Sequence, residues 1–111
     1  MIKSAAFAVA LVTAPDWKSA RQIARAAVRE KVAACVNLIP GIESHYHWRG
    51  RIESSAEILL VFKARRSKLA ELEEVVLARH PYDTPEFIVL PLTGGNKKYL
   101  AWLADASDRA G

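Results

Sequence analysis

A long β-hairpin over residues 35–63 is the feature of this sequence that most constrains its fold. Side chains alternate between two faces from Ile42 to Trp48, and a period of two residues is typical of a β-strand. The return arm is apolar on both faces from Ile58 to Phe62, which is typical of a strand that lies centrally in a covered sheet. Because such a hairpin extends beyond the core of a small domain, we expect a second copy of the chain to cover it.

The hairpin turn lies at Trp48-Arg49-Gly50, and a glycine there favours a three-residue loop in which Gly50 takes the left-handed conformation. In that register the apolar residues of the two arms share a face. The predicted neighbours across the hairpin are His47 with Arg51, Tyr46 with Ile52, and His45 with Glu53.

The order of elements is β-α-β-β-α-β with a further helix at the end. We expect four strands, at about residues 6–12, 33–48 with a bend at Pro40, 51–63 and 86–90. We expect a first helix capped by Asp16, a second helix capped by Ser67 that ends near His80, and a third helix after Asn96. With right-handed crossovers this order gives an α+β ferredoxin-like sandwich, in which both main helices cover one face of an antiparallel four-stranded sheet. The other face then needs a cover, which again favours an oligomer.

At 111 residues and 51% hydrophobic, the chain predicts one domain over residues 1–111 that needs no metal or disulfide for its core. The single cysteine, Cys35, lies in an apolar strand and is expected to be a small buried residue, which suits a reducing compartment. Lys3 and the apolar run after it also resemble a short secretory signal, but the same run is typical of a first strand. We expect no membrane span, because no apolar segment is long enough.

A net charge of +4 raises the question of nucleic acid binding. Arg21, Arg25 and Arg29 form one stripe on the first helix, but no aromatic residues lie between them to stack on bases. The stripe is therefore interpreted as a solvated helix face, and we expect no nucleic acid partner.

Histidines are the candidate metal ligands of this sequence. His45 and His47 lie about 6.5–7 Å apart on one strand face, with Glu43 in line, a combination that suits zinc, copper or nickel. An exposed hairpin face is polar in any case, so a solvated face stays open as the alternative. His80 ends the second helix, where the helix dipole gives a structural reason for a histidine without any metal. No catalytic motif is present, so we expect no enzyme.

Five segments, in order and over nearly the whole chain, resemble the CutA divalent-cation tolerance proteins. They are Thr13-Ala14-Pro15-Asp16, residues 33–41, Tyr46-x-Trp48-x-Gly50, residues 80–86, and residues 99–103. The resemblance implies a ferredoxin-like protomer in a tight homotrimer, similar in architecture to PII signalling proteins and usually cytoplasmic in bacteria. It also implies a link to tolerance of copper and other divalent metals, and no established enzymatic activity.

The resemblance also implies copper ligands, which this chain retains in part. The family's described ligands are a cysteine before the Thr-Ala-Pro-Asp motif and two histidines before Pro-Tyr. These positions are Val12, Arg79 and His80 here, so only His80 is able to bind a metal. Two hypotheses follow. In one, the protein is a metal-binding trimer that uses His80, with His45, His47 or Cys35 as helpers. In the other, it is a structural or signalling trimer that binds a small anion or a protein between subunits, and metal binding is incidental.

Overall fold

Two βαβ halves build an antiparallel sheet in the computed structural model, which describes residues 1–108. The elements are β1 (Ile2–Lys3), β2 (Phe7–Ala14), α1 (Trp17–Arg29), β3 (Cys35–Trp48), β4 (Arg51–Arg65), a 3₁₀ turn (Arg66–Lys68), α2 (Leu69–Arg79), β5 (Ile88–Pro91), β6 (Gly94–Gly95) and α3 (Lys97–Ala106). The main sheet has the order β3-β4-β2-β5, and β1 pairs with β6. This α+β architecture confirms the predicted ferredoxin-like sandwich. The last three residues of the expected domain over 1–111 lie outside the described part.

The core lies between one face of the sheet and the two main helices. Leu60 and Phe62 of β4 are fully buried, as are Ile23 of α1 and Leu72 of α2. Alternate residues of each strand supply this layer, as the two-residue period predicts. The helices bury their apolar faces against it.

The starts of the two main helices differ from each other. Asp16 caps α1 as predicted, because its Oδ1 accepts a 2.8 Å hydrogen bond from the Ser19 amide. The predicted cap at Ser67 is wrong, because Ser67 lies inside the 3₁₀ turn and α2 begins after Lys68 without a side-chain cap. That turn lets the chain leave β4 and enter the helix layer directly.

The sheet face opposite the helices is apolar and largely uncovered. Leu11 of β2 lies between Val61 of β4 and Ile88 of β5 on this face. Ile88 is 50% exposed, and Leu90 and Ile39 are also exposed. Within residues 1–108, α3 covers one end of this face, where Leu100 and Leu103 pack on Phe7. We call the uncovered remainder the open sheet face.

The long hairpin has the predicted interruption but a different turn. Its register shifts between Ile39 and Ile42, where Pro40 supplies no ladder donor. The turn itself contains two residues, Arg49 and Gly50, with φ of 52° and 77°. The predicted three-residue loop is therefore wrong. Facing pairs are Trp48 with Arg51, His47 with Ile52, Tyr46 with Glu53, and His45 with Ser54.

The helices α1, α2 and α3 contain 13, 11 and 10 residues. Within residues 1–108, none of the helices has the length and apolar character required to cross a membrane.

Candidate functional site

A cavity of about 680 Å³ lies between the hairpin and the segment that follows α2. Carboxylates and aromatic rings dominate its walls. The acidic residues are Glu53, Glu57, Asp83 and Glu86, the aromatic residues are Tyr46, Trp48 and Tyr82, and the remaining residues are Thr13, Ser44, His45, Pro81 and Thr84. No lysine or arginine occurs among these described lining residues, although the whole chain carries a net charge of +4. The cavity is thus locally acidic in a basic protein.

The two-residue turn places acidic and aromatic side chains together in this cavity. Cross-strand partners in an antiparallel pair share one face of the sheet. Tyr46 faces Glu53, Ser44 faces Ser55, and Ile42 faces Glu57. These are alternate pairs of the ladder, so their side chains lie on one face of the hairpin. The register expected from the sequence pairs Tyr46 with Ile52 instead, and so it missed this combination.

Glu57 is the most enclosed acidic group of the cavity. The residue is only 7% exposed, and its Oε2 accepts a 2.8 Å hydrogen bond from the Tyr82 hydroxyl. The pKa of Tyr82 is raised well above its ordinary value. The larger cause is the loss of hydration at the hydroxyl, and the smaller cause is its hydrogen bond to the Glu57 carboxylate. Tyr82 therefore keeps its proton and remains a donor to Glu57 at neutral pH.

His80 lies behind the cavity wall, at the C-terminal end of α2. It is 9% exposed, and its Nε2 lies 2.7 Å from the carbonyl oxygen of Thr13. A carbonyl only accepts, so Nε2 carries the hydrogen and donates it. Nδ1 accepts a 3.1 Å hydrogen bond from the Tyr82 amide, and the two rings lie 4.8 Å apart. The imidazole thus fixes the start of the segment that carries Tyr82.

The two positions that the family resemblance associates with copper, besides His80, have structural roles here. Val12 is fully buried in the core. Arg79 donates to the carbonyl of Val75 at 3.2 Å and lies 3.4 Å from the Glu30 carboxylate. Neither side chain offers a lone pair to a metal.

The helper candidates lie on different surfaces. His45 makes an exposed 2.8 Å contact with Glu43, while His47 lies opposite Ile52. Cys35 is partly exposed, which corrects the expectation of a buried residue. It lies on the edge strand β3 opposite Lys63, and Tyr99 of α3 contacts it without enclosing it. In residues 1–108, no three His, Cys, Asp or Glu side chains are grouped closely enough to hold a metal ion.

Sequence comparison identifies relatives over most of the chain. A family model described as CutA1 divalent ion tolerance protein matches residues 8–106. The chain is 50% identical over 99 residues to the chloroplastic protein CutA of Arabidopsis thaliana, covering 89% of this chain and 54% of that protein. It is 44% identical over 97 residues to the divalent-cation tolerance protein CutA of Thermus thermophilus, covering 87% of this chain and 94% of that protein. The chain thus spans about half the length of the plant relative.

Structural comparison agrees with this result. The crystal structure of CutA1 from Oryza sativa superimposes with a TM-score of 0.91 at 45% identity, covering 96% of this chain and 97% of that chain.

The expectation of a cytoplasmic location is wrong, because similar proteins are described as lying in other compartments. The relatives from Arabidopsis and rice are named chloroplastic. The solved CutA of Archaeoglobus fulgidus, 35% identical with a TM-score of 0.89, is described as periplasmic. Similar chains therefore occur in different compartments.

Proposed function

Because this chain belongs to the CutA1 divalent ion tolerance family, we propose that it takes part in the response to divalent metal ions by binding the ion, with copper as the first candidate. The observation that carries this proposal is the family match over residues 8–106. We assign the protein a binding role as one domain over residues 1–111, and we assign no catalytic residue.

His80 is the ligand that we assign to the metal. The Thr13 carbonyl holds the Nε2 hydrogen, which leaves the lone pair on Nδ1 as the donor atom for the ion. The amide of Tyr82 occupies that lone pair at 3.1 Å, so the ion must displace this hydrogen bond. Metal binding at His80 would therefore move the segment that carries Tyr82.

Self-association supplies the further ligands that one imidazole needs. A homotrimer covers the open sheet face, on which Ile39, Ile88 and Leu90 are 44–50% exposed. Threefold symmetry brings three copies of a residue together, and His45, His47 or Cys35 are the additional donors that the chain offers.

The alternative function, a signalling trimer that binds a small anion, gains no support from the cavity. Four carboxylates line it, and no lysine or arginine occurs among its described lining residues. Such a wall repels an anion and attracts a cation.

Metal titration tests the proposal. We expect calorimetry to show stoichiometric, submicromolar binding of Cu(II) to the assembled protein in a non-coordinating buffer, and loss of that binding in His80→Gln. Glutamine retains an Nε2 donor for the Thr13 carbonyl and so spares the fold. Arg25→Gln is the matched control, because Arg25 is exposed on α1 and its guanidinium offers no lone pair to a metal, so the binding of Cu(II) should equal that of the parent protein. Unchanged binding in folded His80→Gln would overturn the assignment of His80.

A further inference from the structure

Glu57 is a buried carboxylate that lacks a cation. The residue is 7% exposed, yet it forms no ion pair with any described lysine, arginine or histidine. The hydrogen bond from Tyr82 to Oε2 is the only polar contact of the Glu57 side chain within residues 1–108. Buried carboxylates in proteins are ordinarily paired with a cation, because an unpaired charge is costly to remove from water. The missing partner is the observation from which this inference starts.

The second oxygen of Glu57 is open to the cavity. Oε1 has no hydrogen-bond partner within residues 1–108. Every side-chain oxygen or nitrogen that is fully buried in this part of the chain has a partner, so Oε1 is in contact with solvent. Glu57 lines the cavity, so solvent reaches Oε1 through it. A ligand in the cavity therefore meets a carboxylate oxygen that is already positioned by Tyr82.

The walls of the cavity suit an organic cation. Tyr46 and Trp48 contribute aromatic rings, whose faces attract alkylammonium and guanidinium groups. The Arg49 guanidinium already lies 5.6 Å from the centroid of the Trp48 ring, so a ligand would use the rest of that ring and Tyr46. Glu53, Asp83 and Glu86 add negative charge, which raises the local concentration of cations. A volume of about 680 Å³ lies within the usual range for small-molecule sites.

A chelated metal fits the same cavity less well. The described residues contain no group of three or more metal-binding side chains, so these carboxylates are too dispersed to coordinate one ion. The cavity also provides far more room than an ion requires. Dispersed carboxylates between aromatic walls are instead typical of sites for a larger, softer cation.

We propose that this cavity binds a small organic cation, an alkylammonium or alkylguanidinium group, with Glu57 as its anchoring carboxylate. The site goes beyond the proposed metal function, because it uses a different ligand class and does not use the His80 ring as a ligand. Tyr82 belongs to both regions, since its amide contacts His80 and its hydroxyl contacts Glu57.

The test is a calorimetric titration of the assembled, chelator-treated protein at constant ionic strength. The probes are butylammonium and butylguanidinium chloride, with 1-butanol and sodium butyrate as the neutral and anionic counterparts. We expect saturable binding of at least one cation and no binding of butanol or butyrate. In Glu57→Gln the affinity for the cation should fall by at least about tenfold, since glutamine keeps the acceptor for Tyr82 but removes the charge.

Glu43→Gln is the matched control, because Glu43 lies on the same hairpin, is highly exposed and does not line the cavity. Its cation affinity should equal that of the parent protein. If Glu57→Gln does not fold, Trp48→Leu replaces it, with several-fold weaker binding expected from the lost ring.

Three results would overturn the inference: no saturable cation binding, equal binding of butanol, or unchanged affinity in folded Glu57→Gln. A lysine or arginine from a neighbouring copy that fills the cavity would give the first of these results. Chelator treatment keeps the outcome separate from the metal titration, so either proposal can fail while the other stands.

Discussion

The Tyr82 hydroxyl donates a 2.8 Å hydrogen bond to Oε2 of Glu57, and this contact joins the segment after α2 to the hairpin. The two residues are 25 positions apart in sequence. The contact closes one side of the acidic cavity, so the shape of the cavity depends on it. Its removal should therefore affect stability as well as binding.

Tyr82→Phe should destabilise the protein by about 1–3 kcal/mol, because the enclosed Glu57 carboxylate loses the hydrogen bond that the Tyr82 hydroxyl donates. Urea unfolding measures this difference. The control is Tyr46→Phe, which removes an exposed 3.2 Å contact between the hydroxyls of Tyr46 and Ser55. It should lower the free energy of unfolding by less than about 0.5 kcal/mol. Equal losses of unfolding free energy in the two variants would show that the hydrogen bond to Glu57 stabilises the protein no more than an exposed one does.

Alkaline pH should weaken the folded state through the same residue. The pKa of Tyr82 is raised in the folded protein above its ordinary value of 10.0. The stabilising effect is complete below pH 10.0 and is lost as pH rises above it, because the unfolded chain then releases a proton that the folded chain retains. Unfolding midpoints from pH 9 to 11 should fall more steeply for the parent protein than for Tyr82→Phe. Parallel pH profiles would contradict this assignment.

Glu57→Gln should stabilise the protein in a buffer that contains no organic cation. The substitution removes a charge that lacks a cationic partner in the described chain, and glutamine still accepts from Tyr82. We expect a gain of about 1 kcal/mol in the free energy of unfolding. Glu43→Gln should leave this free energy unchanged, because Glu43 is exposed. A large loss in Glu57→Gln would mean that its carboxylate is already satisfied in the assembled protein.

Hydrophobic periodicity was sufficient to predict the fold but not the cavity. The alternation in β3 and the two-faced apolar pattern of β4 fixed their roles, and Asp16 marked the start of α1. The turn was predicted wrongly because an arginine rarely takes a positive φ, whereas Arg49 does so here. A shift of one residue reverses which side chains share a face. Glu53 was therefore assigned to the face of His45, away from Tyr46.

The candidate site was predictable in part. The sequence indicated His80, but not its hydrogen bonds. The bond to Thr13 joins residues that are far apart in the chain, and the bond from the Tyr82 amide depends on the local backbone conformation, so neither produces a sequence pattern. Glu57 carries a weak signal, since it is a charged residue directly before a fully apolar run. Only the register and the path of the segment after α2 reveal that this carboxylate is enclosed.

The two-residue turn predicts its own stabilising substitution. Arg49→Asn should raise the free energy of unfolding by about 0.5–1 kcal/mol, because asparagine tolerates the positive φ that Arg49 adopts and Asn-Gly is the preferred pair for this turn. Gly50→Ala should lower it by about 1 kcal/mol, since alanine is strained at a φ of 77°. Denaturant unfolding measures both. If Arg49→Asn is destabilising, the contact of the Arg49 guanidinium with the Trp48 ring, 5.6 Å from its centroid, outweighs the backbone strain.

The open sheet face predicts the effect of a charge on assembly. Leu90 is 49% exposed and lies on this face, opposite Val9. Leu90→Glu would bury a carboxylate in the proposed trimer interface, so light scattering at micromolar concentration should show a mass near one chain of 12.3 kDa in place of three. Leu77→Glu is the matched control, because Leu77 is also 49% exposed but lies on α2, in the helix layer on the opposite side of the sheet. It should keep the mass of the parent protein. A parent protein that is itself monomeric would contradict the proposed trimer, and a trimeric Leu90→Glu would place the interface elsewhere on the chain.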